Sequence, residues 1–199
     1  LYTVTEDAVN GYTLLSVGPN TGADGNFDYT LTNAANEGSF SKRDVSGDEL
    51  PGAHMQLLDS EGTVIAEWVS SDTPYVLRGV LTPDTDYVLK ETIAPDGYLV
   101  TTDIPFHMDE TMTPTVGDIT YGGVDAGVVY MVDAATTVTL SKQAVGGGPE
   151  LVGAAVTVTH VDGTGATVTD ASWVSGMDGT TVTNLPKTLT GLIPGVTYT

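Results

Sequence analysis

Residues 87–98 read YVLKETIAPDGY. Apolar and polar residues alternate from Tyr87 to Glu91, the period of a strand with one buried face. Pro95-Asp96-Gly97 then marks a turn. Alternation puts Glu91 on the same side as Tyr87 and Leu89, toward a core. A buried carboxylate is costly unless a partner or a special chemistry compensates. A looser copy, YTVTEDAVNGY, runs from Tyr2 to Tyr12 and places Glu6 in the same way. Recurrence makes the odd glutamate a feature of a repeat.

The repeat extends well beyond this stretch. FSKRDVSGDELPGAHMQLLD, from Phe40, matches LSKQAVGGGPELVGAAVTVTH, from Leu140. Both run strand, turn, Glu-Leu-x-Gly-Ala, strand. Trp68 in EWVS and Trp173 in SWVS follow, and LRGVLTPDTDY (Leu77 to Tyr87) matches LTGLIPGVTY (Leu189 to Tyr198). Tyr2-Thr3 and Tyr198-Thr199 occupy equivalent positions. Residues 37–134 are therefore expected to form a complete repeat, 1–36 the back part of a preceding one, and 135–199 the front part of the next. Leu1 falls inside a strand pattern, so the sequence reads as a segment of something longer.

Period-two runs predict strands at His54–Leu58, Thr63–Trp68, Tyr87–Glu91, Ile104–Met108 and Gly127–Val132. Ser46-Gly47, Pro51-Gly52, Glu61-Gly62, Pro95-Asp96-Gly97 and Gly122-Gly123 read as turns between them. No long helical period appears. Short strands spaced by turns predict an all-β chain of antiparallel sandwiches, Ig-like in build.

The 199 residues carry 26 acidic and only 6 basic side chains, a formal charge of −20. That argues against nucleic acid and anionic membranes as partners. No segment approaches the length of a membrane helix. There is no cysteine, so an exported protein of this kind must be held by packing, by metal or by some other cross-link. Acidity and the absence of cysteine suit an exported, self-repelling protein.

The order Lys-x-Asp, Glu-Leu-Pro-Gly-Ala, Tyr-x-Leu-x-Glu-x-x-Ala-Pro-x-Gly-Tyr and Met-Val-Asp resembles the collagen-adhesin B-type (Cna-B) domains, also called SpaA-like, of Gram-positive pilins and surface adhesins. The resemblance covers 37–134 strongly and both flanks more weakly. It implies a reverse-Ig, prealbumin-like sandwich. It also implies an intramolecular bond between a first-strand lysine and a last-strand Asp or Asn, promoted by a buried glutamate. Carried over, the glutamate is Glu91, the acceptor Asp133 and the lysine Lys42. Some family members place the lysine three residues earlier, where this sequence has Ser39. The middle repeat holds only two lysines, and Lys90, next to Glu91, faces the other side of its strand. In the flanks, Glu6 and Asn33 match the glutamate and acceptor, and Lys142 matches the nucleophile.

The residue types suit the chemistry. An amine attacks only in its neutral form, which burial favours. A buried glutamate tends to keep its proton and can shuttle it. Fixed geometry can supply about 7–11 kcal/mol of the barrier, so no external enzyme is needed. Two plainer readings stay open: Lys42, Glu91 and Asp133 as an ordinary salt-bridge cluster, or Lys42 as a solvated side chain.

Other motifs favour bland readings. Leu185-Pro186-Lys187-Thr188-Leu189 nearly matches a sortase signal but has Leu where Gly is needed. Asp44 to Asp48 and Asp162 to Gly165 suggest calcium loops with incomplete ligand spacing. His54, His107 and His160 lack zinc spacing, and the two tryptophans read as core. No metal or cofactor is expected, and no conventional active site. The expected role is structural: a repeat segment of an extracellular, cell-surface or wall-anchored pilus, stalk or filament, whose partners are neighbouring repeats or subunits. An adhesin module binding a surface ligand is the alternative. The two end pieces nearly sum to one domain, so head-to-tail completion, by neighbouring subunits or by a continuing chain, is a further expectation.

Overall fold

The computed structural model describes residues 4–21 and 27–199; Tyr2 and Thr3, matched above to Tyr198 and Thr199, lie outside them. The described residues form strands and turns without a helix. The chain divides into two compact units, residues 1–94 with 100–133, and residues 95–99 with 134–199.

In the first unit, β1 (Tyr12–Thr21) and β2 (Phe27–Ala35) form an antiparallel hairpin. Next come β3 (Glu37–Asp44), β4 (His54–Asp59), β5 (Val64–Val69), β6 (Tyr75–Arg78), β7 (Thr85–Ile93), β8 (Ile104–Met108), β9 (Pro114–Val116), β10 (Gly122–Asp125) and β11 (Val128–Asp133). They make two sheets, ordered β10-β11-β3-β6 and β5-β4-β7-β8-β9. Phe40, Val129 and Met131 from the first meet Met55, Leu57, Tyr87, Leu89, Ile104, Phe106 and Met108 from the second in one core. Alternation is clean where one face is buried: Tyr87, Leu89 and Glu91 point in, as do Val129, Met131 and Asp133. Trp68 stacks on Tyr75, ring centroids 4.4 Å apart, and packs at the core's edge as expected.

Two features depart from the sequence reading. The sheets are antiparallel except in the middle of the four-stranded one, where β11 runs parallel to β3, with Met131 opposite Lys42. Parallel neighbours need a long crossover, and here everything from β4 to β10 supplies it. Gly122-Gly123, expected as a turn, instead opens β10 and pairs with Met131 and Tyr130. A Cβ at Gly122 would overlap the Ile104 side chain, and one at Gly123 would sit 2.8 Å from the Tyr130 hydroxyl. These glycines admit close neighbours rather than bend the chain.

The second unit contains β12 (Thr137–Leu140) paired with β17 (Lys187–Thr190), β13 (Ala155–Val161) with β14 (Thr167–Val174), and β15 (Met177–Asp178) with β16 (Thr181–Val182). Its turns repeat bonds of the first unit. Leu50 N–H donates to the Lys42 carbonyl at 2.7 Å, and Leu151 N–H to the Lys142 carbonyl at 2.7 Å. The Ser70 hydroxyl donates to the Leu50 carbonyl at 2.7 Å, as Ser175 does to Leu151 at 2.5 Å. The Tyr87 hydroxyl accepts from Thr82 N–H at 2.8 Å, as Tyr198 does from Ile193 N–H at 2.8 Å.

Candidate functional site

Three strands bring three ionisable side chains into the core. Lys42 follows Phe40 on the inner side of β3, Glu91 follows Leu89 on β7, and Asp133 follows Met131 on β11. Their exposures are 2%, 2% and 0%. Lys42 Nζ contacts Asp133 Oδ1 and lies 3.5 Å from Glu91 Oε1. Beyond these ion-pair contacts, Lys42 Nζ, Glu91 Oε1 and both Asp133 carboxylate oxygens have no hydrogen-bond partner among the described residues. Surrounding apolar side chains leave the three groups to satisfy one another.

One outside contact orients the site. Thr101 N–H donates to Glu91 Oε2 at 3.1 Å. Burial pushes the Glu91 carboxyl up to about 7, opposed by the Lys42 charge and the Thr101 N–H and reinforced by the Asp133 carboxylate. Glu91 thus holds a proton over much of the range in which ordinary glutamates have lost theirs. The arrangement places an amine against a carboxyl carbon's oxygen, with an acid beside both. A nucleophile, an acyl group and a proton carrier thus lie side by side.

Ser39 lies three positions before Lys42, an odd offset, on a stretch of β3 whose register against β11 runs without a bulge. They therefore face opposite sides, and position 39 points away from Asp133. Lys90 is opposite Gln56 and outside the core, as alternation predicted.

In the flanks, the Asn33 side-chain amide donates to Glu6 Oε1 at 2.8 Å, so the predicted glutamate and acceptor meet. Lys142 is exposed, and its backbone N–H donates to Glu150 Oε1 at 2.8 Å.

Sequence reasoning missed Thr101 and the glutamate of Glu-Leu-x-Gly-Ala. The Ser41 hydroxyl donates to Glu49 Oε1 at 2.5 Å, and the Ser141 hydroxyl to Glu150 Oε2 at 2.7 Å. In both copies this glutamate ties the residue before the lysine to the following loop. The recurrence of Ser-Lys with Glu-Leu-x-Gly-Ala was the available signal. A backbone donor such as Thr101 N–H leaves none.

The minor motifs take plain roles. Asp44 Oδ1 accepts the N–H groups of Ser46 and Asp48 at 2.8 and 3.1 Å, and Asp162 Oδ1 those of Thr164 and Ala166, both at 2.9 Å. Each carboxylate is spent on closing its own turn. Among the described residues no cluster of three or more His, Asp or Glu is placed to hold a metal. His107 Nδ1 lies 2.8 Å from Asp86 and His160 Nδ1 2.9 Å from Asp170, both local strand pairs. In the sortase-like stretch, Leu189 is buried in β17 opposite Val138.

Comparison with known proteins now bears on the middle of the chain. Residues 36–121 match the family model of the SpaA prealbumin-like fold domain. This segment is a SpaA-type domain. The matched span includes Lys42 and Glu91 and stops before β11. Similar solved structures include the C-terminal fragment of the pilus adhesin SpaC from Lactobacillus rhamnosus GG, 19% identical, TM-score 0.41, covering 65% of this chain and 60% of that one. The shaft pilin SpaA of the same organism is 20% identical, TM-score 0.38, with 57% and 54% covered. The Bacillus anthracis TIE protein is 19% identical, TM-score 0.42, with 97% and 34% covered. The chain thus spans less than two thirds of each of these structures. No curated protein matches it.

Proposed function

We propose that this chain is a load-bearing repeat segment of an extracellular surface filament, and that its middle repeat closes itself with an amide bond between Lys42 and Asp133. The observation that carries this reading is the set of buried Lys42, Glu91 and Asp133 side chains, whose one further partner among the described residues is the Thr101 N–H on Glu91, held on the first, a central and the last strand of the repeat. A lone salt bridge is a poor use of such a site, because desolvation offsets most of its attraction.

The step balances as follows. A proton passes from the Lys42 ammonium to the Asp133 carboxylate, giving amine and acid. Nζ attacks Asp133 Cγ, forming the C–N bond. Glu91 takes a proton from nitrogen and returns one to the departing hydroxyl, and water leaves. An Asn acceptor, as at Asn33, would release ammonia instead.

Parallel pairing of β3 and β11 sets the mechanical consequence. The repeat is entered at the start of β3 and left at the end of β11, at opposite ends of the strand pair, so tension shears the pair. A Lys42–Asp133 bond carries that load directly, and residues 43–132 bear none. Filament neighbours are the natural partners of such a segment, and its role is self-cross-linking rather than turnover of an outside substrate.

Intact mass tests the bond. The chain should be lighter than its sequence by one water, and Glu91→Ala should restore the full mass. A full mass for the unaltered, folded chain would sink the proposal.

A further inference from the structure

The Gly-Tyr turn after the glutamate strand recurs in the structure together with one and the same set of contacts. At Gly11-Tyr12 and at Gly97-Tyr98 the turn glycine is buried, with φ of 80° and 85°. Its carbonyl accepts a backbone N–H from the residue that opens the next stretch: Asn36 on Gly11 at 2.8 Å, Thr136 on Gly97 at 2.8 Å. That residue's carbonyl in turn accepts the N–H of a second glycine, Gly79 at 2.9 Å or Gly191 at 3.0 Å. Its side chain reaches the same loop. Asn36 Nδ2 donates to the Leu81 carbonyl at 2.8 Å, and the Thr136 hydroxyl to the Leu192 carbonyl at 2.5 Å.

The fit leaves no room for a side chain. A Cβ on Gly11 would overlap the Gly79 carbonyl, and one on Gly97 would lie 2.7 Å from the Gly191 carbonyl oxygen. Positive φ alone explains a glycine in a turn; contact with a second backbone explains why this one is buried. Residues 95–99 accordingly cluster with 134–199 rather than with the strands that flank them in sequence. The length of chain between the bracketing residue and the second glycine differs in the two copies, yet the bonds are the same.

We infer that the Gly-Tyr turn is a clasp between successive repeats: the turn of one repeat seats in the Leu-x-Gly loop of the next, and Asn36 or Thr136 brackets the two. Its partner is a following copy of the same kind of repeat. The inference rests on the tandem-repeat reading and does not require the Lys42–Asp133 bond.

Amide hydrogen exchange on the full chain tests it. Thr136 and Gly191 should be protected in the unaltered protein. Gly97→Val should abolish protection at both while leaving Asn36 and Gly79 protected, because those report the other clasp. Thr136→Val keeps the backbone and removes one bracketing hydroxyl, and should speed exchange at Gly191 about threefold to tenfold. If Gly97→Val disturbs the middle repeat, Thr136→Val decides. Unprotected Thr136 and Gly191 in the unaltered chain, or no change in either variant, would overturn the clasp. Mass read on the same sample separates the two ideas: absence of the water loss sinks the cross-link and leaves the clasp standing.

Discussion

Asp133 lies one pleat beyond Met131, the residue opposite Lys42 on the parallel neighbouring strand, so Lys42 and Asp133 meet diagonally across β3 and β11 inside the core. Among the described residues neither group has another partner apart from Glu91. This one diagonal accounts for both the energetics and the mechanics expected of the repeat.

Removing one member should cost more than removing the set. Asp133→Ala leaves a buried amine beside Glu91 alone and should lower stability by about 3–5 kcal/mol in urea unfolding. Replacing Lys42, Glu91 and Asp133 together by Met, Gln and Leu should be milder than Asp133→Ala. A single variant as stable as the parent would contradict the mutual dependence of the three.

Force reports the bond by length. When the middle repeat is stretched from its two ends, residues 43–132 should stay folded and contribute no extension. In Glu91→Ala the same pull should release roughly 300 Å of additional chain. Equal contour lengths in the two proteins would show that Lys42 and Asp133 are not joined.

Glu91 should give stability a downward slope with pH in a chain that cannot condense. Lys42→Met is such a chain and also lacks the ammonium that holds the Glu91 carboxyl down. The folded carboxyl keeps its proton where the unfolded one has lost it, so stability is full below the unfolded value of 4.5 and falls as pH rises to about 7 and beyond. The loss should be on the order of 3 kcal/mol. Adding Glu91→Gln should flatten the profile, and a slope unchanged by that substitution would assign it to other groups.

The paired glycines of β10 should resist substitution. Gly122→Val drives a side chain into Ile104, and Gly123→Val into the Tyr130 ring. Each should lower the unfolding midpoint by an amount equivalent to about 1–3 kcal/mol, whereas Gly127→Asn, at a turn with open space and φ of 82°, should be nearly neutral. Reversal of that order would remove the packing explanation.

How much was legible follows from what each signal depends on. β4, β7 and β8 were readable because one buried face imposes period two on the residues themselves. β10 was not, because its glycines answer to Ile104 and Tyr130, which lie elsewhere in the sequence. Glu91 could be singled out from its own strand. Lys42 and Asp133 needed the resemblance, and Thr101 contributes only a backbone N–H that any residue would offer.

By itself the sequence determined the strand-and-turn character, the repeat, and the inward direction of Glu91, since alternation and turn chemistry are local properties of neighbouring residues. Only the tertiary structure decided that β3 and β11 lie parallel and adjacent, that Lys42 rather than position 39 faces Asp133, and that the Gly-Tyr turn seats in a distant glycine loop. Strand partners are chosen by how the whole core closes, and no stretch of sequence contains that choice within itself.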